Sequence, residues 1–144
     1  MSLTRSRTTA TVCCFALMSL GAVLSKEKPR IVVNDSGVLH AQELIKFGRF
    51  TADRRNNWGE HQVSTEEENK FIALHGFAEY AKWYLAIDES HQPDTKAHYK
   101  FPYGDFKTVH RCALLAARSR ARQYGYNDVE KTAQRLIELQ AAKK

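Results

Sequence analysis

A chain of 144 residues has room for one domain of ordinary size. With 43% hydrophobic and 26% charged residues it lies among globular proteins and far from disordered ones. The net charge of +6 permits an acidic partner without requiring one; Arg5 and Arg7 supply two of those charges, leaving residues 26–144 at +4.

Residues 1–25 read as a leader. Arg5 and Arg7 precede an uncharged run from Thr8 to Ser25 centred on residues 12–18, the plan of a secretory signal peptide. Val23 and Ser25 are small enough for the cleavage positions, so the mature chain is expected to begin near Lys26 and to be secreted or periplasmic. Thr, Ser and Gly dilute the run, which is at the short edge of the ~20 residues a spanning helix needs. No stable membrane span is therefore expected after leader removal. Two alternatives stand beside this. The Ser- and Thr-rich start without acid before Glu27 also fits a mitochondrial transit peptide, and Met18-Ser19-Leu20 repeats Met1-Ser2-Leu3, so a start at Met18 would make the product cytoplasmic. Cys13 and Cys14 lie in the leader, which leaves Cys112 alone: no internal disulfide and no Cys-x-x-Cys.

The segment 31–141 is expected to be a single domain. Ile31-Val32-Val33 is β-prone, and Asn34, Asp35 and Ser36 offer side-chain oxygens to cap a helix from about Gly37 to Phe47, ended by Gly48. The polar connector 51–63 has no apolar period. Ser64-Thr65-Glu66-Glu67 is a capping box opening a helix through Leu74, with a bend at Gly76 and a continuation over about Phe77–Ala86. Pro93 and Pro102 punctuate an expected loop over 88–103, with at most one helical turn near Asp94–Ala97. The longest helix is predicted over Phe106–Tyr124, with Ala113, Ala116 and Ala117 inward and Gly125 at its end; Asp128 then caps a last helix. Alternation of period two is almost absent. The expected fold is all-α or nearly so, a bundle of about four to five helices with at most one short N-terminal β segment.

The runs Ala81-Lys82-Trp83-Tyr84-Leu85-Ala86-Ile87-Asp88, Tyr99-Lys100-Phe101-Pro102-Tyr103-Gly104-Asp105-Phe106 and Val109-His110-Arg111 resemble an uncharacterised small helical domain of bacterial and phage-associated proteins. The resemblance covers about Trp58 to Leu139. It implies a helical fold and carries over no catalytic residue.

Candidate chemistry is sparse. Residues 98–107 interleave bases with aromatics, so Tyr99 and Tyr103 could stack on single-stranded bases; the bland reading turns them into the core under a loop stiffened by Pro102. Lys107, Arg111, Arg118 and Arg122 are spaced by four, seven and four residues, one face of a helix able to meet phosphate or merely to be solvated. His91, Asp94 and His98 are the best metal triplet on spacing, though Pro93 interrupts them, and Glu60-His61 is a second acid–imidazole pair. Cys112, on the packed side of a helix, reads as inert. There is no Gly-x-Ser-x-Gly elbow, no phosphate-cradling glycine loop and no His-Glu-x-x-His, and nothing calls for a cofactor. Asn34-Asp35-Ser36 is a glycosylation sequon or simply a cap. The expectation is a non-catalytic interaction module with an unidentified protein partner. Weak nucleic-acid binding through 106–124 and the preceding loop is the alternative, and a small metal-dependent enzyme the third reading.

Overall fold

The computed structural model describes residues 29–143, and the expectations about the leader lie outside the described residues. In chain order the elements are β1 (Ile31–Val33), α1 (Asp35–Lys46), β2 (Phe50–Thr51), α2 (Trp58–His61), α3 (Thr65–Ala81), β3 (Tyr84–Asp88), a 3-10 turn (Lys96–His98), β4 (Tyr99–Pro102), β5 (Val109–His110), α4 (Arg111–Tyr124) and α5 (Asn127–Ala141). Three strands form an antiparallel sheet in the order β1-β3-β4, and β2 pairs with β5 in parallel. The fold is therefore mixed α/β. This corrects the all-α expectation, on both its periodicity and its resemblance grounds.

The correction is concentrated at β3. Tyr84-Leu85-Ala86-Ile87-Asp88 is a near-continuous apolar run, which length and periodicity cannot assign to helix or strand. The helix predicted over 77–86 stops at Ala81. The next residues cross the sheet centre, with Ala86 opposite Val33 on one side and opposite Lys100 on the other. Leu85 and Ala86 point to opposite faces, yet both are fully buried. A strand covered on both faces loses the alternation that would announce it. The expected loop 88–103 likewise holds β4, and its helical turn lies at Lys96–His98 rather than Asp94–Ala97. The long helix begins at Arg111, not Phe106: residues 104–109 form a turn closed by a Gly104–Val109 bridge, followed by β5.

Other local signals behave as their chemistry dictates. Ser64 Oγ accepts from the Glu67 amide at 3.2 Å and the Glu67 carboxylate accepts from the Ser64 amide at 2.9 Å, closing the capping box. Gly76 bends α3 with φ +78°, and Gly125 ends α4 at φ +74°, the left-handed region where a Cβ is costly. Two expected caps do not form. Asp128 lies in the first turn of α5 behind Tyr126, with no side-chain cap bond. Asn34 turns its amide inward to the carbonyls of Ala81 (2.8 Å) and Tyr84 (2.9 Å) and is buried, so the sequon is closed to a glycan.

The core gathers α1, α4 and α5 around β3, with α4 packed along α5. α1 presses so close to β3 that a Cβ on Gly37 would stand 2.0 Å from the Tyr84 carbonyl oxygen, which only glycine tolerates. An aromatic layer completes the core. Trp83 stacks on Tyr103 at 5.7 Å between ring centres, and Phe71 on Phe106 at 4.1 Å. Glu68 accepts from both Tyr80 and Tyr84 hydroxyls and pairs with Lys96 at 2.8 Å.

Candidate functional site

The β2–β5 ladder builds a polar centre. Because Thr51 pairs with His110, the chain leaving β2 carries Asp53 over the point where β5 becomes α4. No side chain of α4's own N-cap serves its first turn, so Asp53 supplies the cap from 59 residues away. Its Oδ1 accepts from the Cys112 backbone N–H at 2.7 Å. Its Oδ2 lies 2.7 Å from His110 Nδ1 and accepts from the Cys112 thiol at 3.1 Å. On the far side of the imidazole, Nε2 lies 3.3 Å from Asp105 Oδ2. Asp105 is oriented in turn by the amides of Lys107 (3.0 Å) and Thr108 (2.7 Å). His61 stacks on His110 with centroids 4.7 Å apart and brings Nε2 to 3.8 Å from Asp53 Oδ2. The side chains of Asp53 and His110 are 7% and 6% exposed, and that of His61 is 36% exposed.

The electrostatics follow from the contacts. Burial by itself raises the Asp53 pKa, but bonds from His110 and from the Cys112 amide and thiol outweigh it and hold the carboxyl below its ordinary range. Cys112 goes the other way. Burial, then the bond to Asp53 and its charge, push the thiol up to about 12. A thiol at a helix N-terminus is usually made more acidic; here burial, and then the Asp53 carboxylate, act the other way. What the cluster offers is one oxygen, one nitrogen and one sulfur donor at a common point.

Comparison with known proteins finds no matching family model, curated protein or solved structure.

The sequence-predicted residues fall elsewhere. Tyr99 and Tyr103 are buried, their hydroxyls donating to the carbonyls of Pro93 and Lys82, so neither ring is open to a base. Lys107 sits in the turn before β5 rather than on α4, its carbonyl accepting from Arg49. Arg118 is half-buried and donates to Gln134 of α5, and Arg122 lies beside it in a cleft that also holds Glu130 and Lys131. Arg111 opens α4 and shares the helix with Arg118 and Arg122, so Lys107 is the base that leaves the predicted face. The triplet His91, Asp94 and His98 is not assembled: His98 Nδ1 faces the His91 carbonyl at 2.7 Å while His91 Nε2 turns toward Asp88 at 3.7 Å. Of Glu60-His61, His61 joins the polar centre. Sequence reading missed Asp53 and His110 and placed Cys112 mid-helix; it is the second residue of α4. The one signal was His110-x-Cys112, two donors at a spacing no ligand motif claims.

A second feature lies on the other side of Trp58. A groove of about 610 Å³ runs between β4 and α4, with Phe101, Pro102, Tyr124 and Tyr126 around Ala116 and with Arg120 at its edge. Arg120 lies over the Tyr124 ring at 5.6 Å, and Tyr124 is 56% exposed. Among the described residues, no helix is long and apolar enough to cross a membrane.

Proposed function

We propose that this chain is a non-catalytic binding module. Its working face is the groove between β4 and α4, and its partner a protein segment that presents apolar side chains flanked by acidic ones. The groove carries this reading. Aromatic residues and arginine dominate the energetics of protein contacts, and here Phe101, Tyr124, Tyr126 and Arg120 converge around the small Ala116, which leaves room for a partner to approach. Lys100 and Arg120 make the lining cationic, and Asp88, which also borders it, is engaged by the Arg30 and Ser90 amides. The resemblance of Trp58–Leu139 to the bacterial and phage-associated domain and a secreted location belong to the same proposal.

The test is a photo-activated cross-linker placed at Gln123, on the groove lining, in the native host. It is expected to capture one protein, with the yield falling about tenfold on Arg120→Glu or Tyr124→Ala, the loss of ~1.4 kcal/mol that a modest contact residue supplies. Melting temperatures should stay unchanged. Capture indifferent to both substitutions overturns the reading. So does an adduct that nuclease removes and that salt weakens steeply, since counterion release marks a nucleic-acid partner.

A further inference from the structure

We propose that Asp53, His110 and Cys112, with His61 stacked beside them, form a three-ligand zinc site that pins the β2–α2 segment onto the N-terminus of α4. The inference is independent of the groove. Among the described residues, Asp53, His110 and Cys112 are the set whose donor atoms all lie within 4.8 Å of one another. Oxygen, imidazole and thiolate together select a borderline-soft cation; magnesium and calcium take oxygen alone.

The distances suit the ion. Zinc bonds of about 2.0–2.3 Å in a tetrahedron require donor–donor edges of roughly 3.3–3.6 Å. The contacts to Asp53 Oδ2 are 2.7 Å from His110 and 3.1 Å from Cys112. Both fall short of that edge, contracted where hydrogen bonds stand in place of metal bonds. The surroundings are those of a ligand set already oriented. The ion would replace the proton between His110 Nδ1 and Asp53 Oδ2, and Asp105 Oδ2 beside His110 Nε2 would accept the N–H of the tautomer that the bound imidazole keeps. The Cys112 amide occupies Asp53 Oδ1, leaving Oδ2. One carboxylate and one thiolate would neutralise a divalent cation, which removes the cost of a buried net charge. On binding, the Cys112 S–H bond breaks, a sulfur–zinc bond forms and the proton leaves to buffer.

The segment that the ion would fasten has little else to hold it. No residue from Ala52 to Ser64 is fully buried, and α2 contributes none to the core. A structural metal stabilises just such a stretch, because its binding energy adds to folding energy.

The experiment is cobalt titration of the full chain, without an affinity tag and stripped of metal, followed by zinc displacement. The expected result is one ion per chain with a thiolate-to-cobalt charge-transfer band, raised melting temperature and release of a proton. Cys112→Ser, which keeps a hydroxyl donor toward Asp53, should abolish the band, while the Cys13→Ser/Cys14→Ser double variant keeps it. Asp105→Asn should keep the band but weaken affinity about 10–100-fold, the effect of losing the residue that orients a ligand. Should Cys112→Ser fail to fold by far-ultraviolet circular dichroism, the Asp105→Asn affinity and the double-variant band decide. Absence of stoichiometric binding, a band that survives Cys112→Ser, or an affinity indifferent to Asp105→Asn overturns the site.

Discussion

Asp53 shows how much one side chain can hold. Its two oxygens serve a helix terminus, an imidazole and a thiol drawn from the opposite side of a 57-residue loop. Removing it leaves three buried partners without an acceptor, each worth about 1–3 kcal/mol when orphaned. Asp53→Ala in metal-free protein is therefore expected to destabilise by roughly 3 kcal/mol or more, read from urea unfolding. A loss within about 0.5 kcal/mol, the range of an ordinary surface position, would show that the cap carries no weight. Asn34 makes the complementary point. Its side chain ties β1 to the end of α3 through two carbonyls instead of capping α1, so a local motif is overridden by partners some fifty residues away.

Elements are decided by what covers them. α4 illustrates this on two adjacent turns: Ala113 and Ala116 both border the groove, but Ala113 is fully buried whereas Ala116 is only half-buried. Sequence periodicity alone puts both on one inner face. With the structure in view the two separate. Ala113→Leu is expected to cost roughly 1–3 kcal/mol by overpacking, while Ala116→Leu should stay within about 0.5 kcal/mol because its added methyls enter the groove. Equal losses in thermal melts would mean that the groove is closed in solution. β3 teaches the same lesson in reverse, since its burial on both faces removes the pattern by which a strand is read.

At the scale of the whole molecule, three buried or half-buried aspartates join distant segments: Asp53 to α4, Asp88 to the start of β1 and Asp105 to His110. Burial raises each pKa, but hydrogen bonds outweigh it, from Ser90 and Arg30 in the case of Asp88, and all three are held below the ordinary value of 3.8. A carboxyl lowered in the folded state contributes its full stability above the unfolded value and loses it as pH falls through the folded one. The protein should thus be most resistant to urea at mild pH and weaken progressively from about pH 5 down to about pH 2. Asp88→Asn should lower stability at neutral pH and flatten that acid limb, because one proton fewer is taken up on unfolding. An unchanged slope of midpoint against pH would remove Asp88 from the account.

What the sequence determined by itself is whatever depends on near neighbours. The capping box at Ser64, the bend at Gly76, the helix ends at Gly48 and Gly125 and the β character of residues 31–33 each follow from residues within a turn or two, and each is where local chemistry puts it. Tertiary structure alone decided the rest. Whether 84–88 is helix or strand turns on β1 and β4 being present to take up its backbone hydrogen bonds. Whether Tyr103 stacks on a ligand or fills the core turns on the Lys82 carbonyl 21 residues away. Asp53, His110 and Cys112 share no motif because ligand chemistry constrains distance in space, and a parallel pair of two-residue strands is what brings them together.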